Sequence, residues 1–228
     1  MNKNTIRREI SLSGIGVHTG KHVDLKLIPS TSGEIIFRRT DLENREFFID
    51  PKRIETKNCS SLVVRDQRVQ TLEHLTATLF AFGIDSLIVE LNGDEIPIFD
   101  GSAMLLAQTL HETGIKPLSE TKKTLSIQQP FVLRENGASI SVGPDSGFRI
   151  SYAIEFDHPS VRKQEFSISI IKENFVKEIA SARTFGFLKD VPSLRAQGLA
   201  MGGSLENAIV LDDKDIINGP LRFSDEFV

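Results

Sequence analysis

Short runs of alternating apolar and polar residues, cut by turns rich in glycine and proline, set the limits on what this chain can become. Val23, Leu25 and Leu27 alternate with His22, Asp24 and Lys26, the period-two pattern of a strand with one wet face. Pro29 to Gly33 reads as a loop and Ile35–Phe37 as another strand. The pattern returns far downstream. Ala138, Ile140 and Val142 alternate with Ser139 and Ser141, a loop follows at Pro144 to Gly147, and Phe148, Ile150, Tyr152 and Ile154 alternate again. Gly20 to Pro29 spans 9 residues and Gly137 to Pro144 spans 7. This is a weak internal repeat: either a duplicated α+β unit with a cleft between copies, or two unrelated antiparallel sheets.

Helical spacing is confined to a few places. Leu72, Leu75, Leu79 and Phe82 fall on one face, with Thr71 as the expected N-cap and Gly83 as a stop. Ser102–Thr113 reads as a second helix ended by Gly114, and shorter helices are expected over Asn174–Ala182 and Pro192–Ala200. A buried strand is expected at Ser86–Leu91, and further strands at Phe166–Ile170 and Ala208–Leu211. The stretch Lys116–Lys123 is polar, contains Pro117 and suits a linker. The expected fold class is therefore α+β, with a first domain over 1–118 and a second over 124–228.

Composition removes several function classes. The 228 residues are 39% hydrophobic and 25% charged, with 27 Lys and Arg against 31 Asp and Glu, a net charge of −4. That balance argues against disorder and against a basic nucleic-acid coat. No apolar run approaches the ~20 residues of a membrane span, and Met1–Glu9 lacks the apolar core of a secretory leader, so a cytoplasmic protein is expected. Cys59 is the one cysteine, which excludes an internal disulfide and a multi-cysteine metal cluster.

The adjacent pair Glu73-His74 stands at a helix start, pointing away from the apolar face. The positive end of the helix dipole there favours a carboxylate and a neutral imidazole, the metal-binding form. A metal hydrolase would use His74 as ligand and Glu73 as base, but an ordinary surface helix offers the same pair. The second His four residues on that marks common metalloproteases is absent, since Thr78 stands there. His18, His22, His111 and His158 share no ligand spacing and read as surface or structural residues. In Ser181–Phe187 the Thr184 hydroxyl suits an oxyanion donor, while Phe185 and Phe187 suit either a substrate face or core anchors. Leu194, Leu199, Leu205 and Ile209 fit a greasy groove or a core equally well.

Taken together, several segments resemble one family, the zinc-dependent UDP-3-O-acyl-N-acetylglucosamine deacetylases of lipid A synthesis. They are Leu12 to Gly20, Val69 to Leu75, Gly83 to Gly93, Ile96 to Ala103, Ala182 to Phe187, and Gly202-Gly203-Ser204 through Asp225-Glu226-Phe227-Val228. The resemblance spans essentially the whole chain. It implies two similar sheet-plus-helices domains with the active site between them. It further implies zinc held first by His74, Glu73 as general base and Thr184 at the oxyanion. Phe156, Phe185 and Phe187 would face a UDP-sugar acyl substrate, and Val191–Val210 would wall a passage for the acyl chain. The family continues beyond Glu-Phe-Val with a His-Lys-x-x-Asp helix holding two more zinc ligands and a Lys-Ser-Gly-His segment; neither occurs in this sequence. The chain thus resembles a C-terminally truncated deacetylase with an incomplete second domain. An inactive fragment with an uncovered second sheet is expected, or else a non-catalytic module binding a nucleotide-sugar or acyl chain.

Overall fold

The computed structural model describes residues 1–228. The first half contains β1 (Asn2–Ile6), β2 (Ile10–Ile15), β3 (His22–Pro29), β4 (Ile35–Arg39), β5 (Arg45–Phe48), β6 (Ile54–Glu55), β7 (Ser61–Val64) and β8 (Gln67–Val69). Then come α1 (Glu73–Ala81), β9 (Leu87–Leu91), α2 (Met104–Thr113) and β10 (Ile115–Thr121). A five-stranded sheet runs in the order β2-β3-β9-β4-β5. All pairings in it are antiparallel except β4 with β9. Alternation puts Val23, Leu25 and Leu27 of β3 on the buried face, where Leu72 just before α1, Leu75 and Leu79 from α1, and Leu106, Ala107 and Leu110 from α2 close over them. Each such side chain contributes about 2 kcal/mol on leaving water.

Two sequence expectations are corrected in this half. Thr71 does not cap α1. The helix begins at Glu73, Thr71 lies in left-handed backbone with φ 60°, and its hydroxyl donates 2.8 Å to the buried Glu95 instead. The expected linker is also ordered: residues 116–121 belong to β10, which pairs antiparallel with β1. Pairing with a partner more than 100 residues away outweighs local polarity and Pro117.

The second half holds β11 (Phe131–Glu135), β12 (Ala138–Val142), β13 (Arg149–Phe156), β14 (Arg162–Ser169), α3 (Lys172–Asn174), β15 (Phe185–Phe187), α4 (Val191–Ala196) and β16 (Ile209–Leu211). The helix expected over Asn174–Ala182 is α3 followed by a wide turn at Phe175–Ile179; Phe175 and Ala180 anchor it in the first-half core. The helix expected over Pro192–Ala200 stops at Ala196. These strands pair only two by two, β11 with β12, β13 with β14 and β15 with β16, so no counterpart of the five-stranded sheet forms. Register aligns Leu133 with Ile140 and Tyr152 with Phe166, giving each hairpin one apolar face. The β11–β12 face is exposed, with Leu133 at 61%, whereas the β13–β14 face is covered in part: Tyr152 is 59% exposed but Ile168 is buried and Ile154 packs against a second, small core. A small core of Val161, Ile209, Leu211 and Phe227 holds this half together. Ile209, a groove candidate by sequence, is therefore a core residue, while Leu205 is exposed and Leu194 and Leu199 are half-buried. No helix is long and apolar enough to cross a membrane.

Candidate active site

The site grows from the segment following β9. Glu95 pairs with Gln70 in a parallel bridge, with Gln70 N–H donating to Asp94 O and Ile96 N–H to Gln70 O. On the other side Ile98 N–H donates 3.0 Å to Ile15 O. The segment thus lies between the His18 turn and the approach to α1. The Glu95 side chain is fully buried. Oε1 accepts from His18 N–H at 2.8 Å and Thr71 Oγ1 at 2.8 Å. Oε2 accepts from Thr19 N–H at 2.7 Å and Thr19 Oγ1 at 2.7 Å. Four donors compensate what an isolated buried carboxylate would lose in hydration.

Glu73 and His74 open α1, both half-buried. Glu73 Oε2 accepts from Ser60 N–H at 3.0 Å, which orients the carboxylate and leaves Oε1 unengaged. The His74 carbonyl accepts from Thr78 Oγ1 at 2.7 Å, and its imidazole has no hydrogen-bonded partner in the protein. Beside this pair the structure assembles His18 and Cys59. The Cys59 thiol raises the His18 imidazole above its ordinary value; burial opposes this, and Glu95 and Glu73 add to it. Burial alone would push the Cys59 thiol up, but hydrogen bonding to His18, Ser61 and the Thr71 backbone outweighs it and holds the thiol below its usual range. Sequence spacing did not find His18, Cys59 or Glu95 as neighbours of the pair, because each comes from a different loop. The signal available for His18 and Glu95 was their place in the turn segments Gly14–Gly20 and Glu95–Pro97; Cys59 carried none.

Thr184 precedes β15. Its N–H donates 2.8 Å to Gly101 O and its carbonyl accepts from Ile209 N–H at 2.8 Å. Arg183 beside it is gripped by the buried Glu226, which accepts from Arg183 Nε at 2.8 Å, Arg183 Nη2 at 3.0 Å and Arg222 N–H at 2.6 Å. Arg222 in turn donates 2.8 Å to Asp100 in the first half. No hydrogen bond joins Thr184 to Glu73 or His74, but packed backbone links their surroundings. Gly101 abuts Asn207, and Asn207 Nδ2 donates 2.9 Å to Gly202 O. Gly202 N–H then donates 3.1 Å to Val17 O, and Met201 N–H 3.0 Å to His18 O. A Cβ on Gly202 would strike the Gly16 carbonyl, so only glycine admits this approach.

The aromatic candidates meet. The Phe156 ring lies 5.6 Å from Phe185 and 5.7 Å from Phe187, and Phe185 lies 5.0 Å from Phe227. Phe156 also lines an open cleft with His158, Arg162 and Lys163. His158 itself is structural, its Nε2 lying 2.8 Å from Asp212 O.

A family model described as LpxC, UDP-3-O-acyl N-acetylglycosamine deacetylase, matches residues 3–228. The chain belongs to this family. It is 43% identical over 228 residues to the UDP-3-O-acyl-N-acetylglucosamine deacetylase of Thermodesulfovibrio yellowstonii, covering 98% of this chain and 77% of that protein. It is 39% identical over 231 residues to the enzyme of that name from Sulfurimonas denitrificans, covering 100% and 78%. With a Neisseria meningitidis relative of that name the figures are 40% over 237 residues, 100% and 77%. The chain therefore spans about three quarters of the length of these deacetylases.

Proposed function

We propose that this chain carries the substrate-facing frame of a deacetylase acting on UDP-3-O-acyl-N-acetylglucosamine, in the synthesis of lipid A. The carrying observation is the pairing of family membership with an oriented carboxylate, Glu73, at the helix start beside the half-buried His74. In the reaction water adds to the acetamide carbonyl, the C–N bond breaks, and acetate and the free glucosamine amine result. Glu73 Oε1, which accepts no hydrogen bond within the protein, is assigned as the base that takes the water's proton. The Thr184 hydroxyl is assigned to the oxyanion that forms on the carbonyl oxygen. Phe185 and Phe187, half-buried against the small second core, are assigned to the substrate side by their exposed edges. Phe156 is assigned to an aromatic contact with the nucleotide, at the edge of a cleft in which Arg162 and Lys163 are balanced by Glu155 and Asp157. Exposed Met201 and Leu205 in the Val191–Val210 stretch suit an acyl chain.

Zinc is the metal this reading implies, with His74 as its ligand. A catalytic zinc needs about three protein ligands. No three His, Cys, Asp or Glu side chains in this structure are arranged so that they could hold a metal ion together. The residues present do not complete a zinc site, so no step is assigned to the metal, and we propose that the 228-residue chain turns over negligibly. The same observation keeps alive a binding role for the nucleotide-sugar or acyl chain without turnover. Zinc titration by calorimetry, paired with a deacetylation assay, tests the proposal. The expected result is weak or absent zinc binding and no acetate release; micromolar zinc affinity together with turnover would refute it.

A further inference from the structure

We propose that Glu95 is a positioning residue that sets the start of α1, and with it the orientation of Glu73 and His74. The role rests on the deacetylase reading only in the importance it gives that pair. Three observations converge. First, the Glu95 carboxylate is wholly buried, pairs with no cation, and accepts only from donors flanking the site: His18 N–H, Thr19 N–H and Oγ1, and Thr71 Oγ1. Second, Thr71 is a β-branched residue held at φ 60°, a conformation such residues avoid unless their surroundings impose it. The bond to Glu95 takes the hydroxyl that would otherwise cap the helix, so the cap position passes to Leu72 and α1 begins one residue later, at Glu73. Third, Glu95 leaves no room for change on its other side. A Cβ on Gly16 would collide with its carboxylate, and the turn it shapes presents the Val17 and His18 carbonyls to which Gly202 and Met201 dock. One carboxylate thereby registers the helix bearing Glu73 and His74 against the strap at residues 200–202.

The consequence is a division of labour among the four bonds to the carboxylate. The Thr71 bond governs the helix start, read out by the Ser60 amide that donates to Glu73. The His18 and Thr19 bonds govern the turn, read out by their own amides and by Cys59, whose thiol His18 lowers. Glu95→Gln replaces one acceptor by a donor facing donors. Thr71→Val removes only the helix arm, and Thr71→Ser retains it.

The test is amide hydrogen exchange by NMR on the 228-residue chain, with the pH profile of Cys59 alkylation by iodoacetamide as an independent reading. In Glu95→Gln the Ser60, His18 and Thr19 amides should exchange about tenfold faster or more, while amides of β13 and β14 stay unchanged and the Cys59 midpoint moves up. In Thr71→Val only Ser60 and the first turn of α1 should accelerate. Thr71→Ser should match the parent. Uniform acceleration across the core in Glu95→Gln would make the residue merely structural and overturn the proposal. So would an unchanged Ser60 amide in Thr71→Val. If Glu95→Gln does not fold, the two Thr71 variants decide alone. None of these readings uses substrate or metal, so failure of the deacetylase reading would leave them standing.

Discussion

At the scale of single residues, two buried carboxylates organise the molecule. Glu95 has been described; Glu226 does the same for Arg183 and the chain's last turn. Burial by itself would raise the Glu226 carboxyl, but the hydrogen bonds from Arg183 and from the backbone of Arg222 and Arg183 prevail and hold it below its ordinary value. As pH falls, the unfolded chain therefore takes up this proton before the folded one does. The contribution is complete above the ordinary carboxylate range and disappears as pH falls through the lower folded value. Urea midpoints measured from pH 7 down to pH 3 should fall more steeply for the parent than for Glu226→Gln. Glu226→Ala leaves the largely buried Arg183 without its carboxylate and should cost about 3 kcal/mol at pH 7, whereas removing an exposed partner such as Glu165 should leave the midpoint nearly unchanged. Gly16→Ala places a methyl against the Glu95 carboxylate and 2.6 Å from Thr19 Oγ1. It should lower stability by about 2 kcal/mol, as overpacking does, in the same denaturation experiment. None of these carboxylates was legible as a hub in the sequence, since a Glu two residues before Pro97 or two before the terminus carries no local mark of burial.

At the scale of elements, hydrophobic spacing located α1, α2, β3 and β9 to within a residue or two, because each presents a continuous apolar face to one core. Leu75 is fully buried at the centre of that face, and Leu75→Ala should cost about 3 kcal/mol, measurable as a shift in the urea midpoint with unchanged slope. Element ends were read less well. Thr71 has the chemistry of an N-cap, yet a buried acceptor from another segment competes for its hydroxyl and wins. Lys116–Thr121 has the composition of a linker, yet β1 supplies a ladder of partners. Both errors have the same origin: a local preference worth about 1 kcal/mol yields to tertiary contacts.

At the scale of the whole molecule, the two halves differ in how their apolar faces are covered. The first buries its sheet under α1 and α2. The second leaves the face of the β11–β12 hairpin open and that of β13–β14 only partly covered, with Phe148 reaching Phe80 of α1 at 4.9 Å between ring centroids. A patch of this kind binds apolar probes. The chain should enhance the fluorescence of anilinonaphthalene sulfonate while folded, and Leu133→Lys with Tyr152→Lys should abolish most of that signal without shifting the urea midpoint. A parent chain giving no enhancement would show that the faces are closed in solution.

The one-dimensional order of side chains was enough to declare an α+β chain, the rows of residues that strands and helices bury, and, through the motif segments from Leu12 to Val228, membership of a deacetylase family. Those properties are local or additive, and period and motif carry them. What needed three dimensions was everything made by convergence. The parallel insertion of β9 beside β4, the meeting of Phe156, Phe185 and Phe187, and the gathering of His18, Cys59, Thr71 and Glu73 around Glu95 are of this kind. Buried charges and left-handed backbone survive only where distant segments supply their hydrogen bonds, and no local pattern encodes which segments those are.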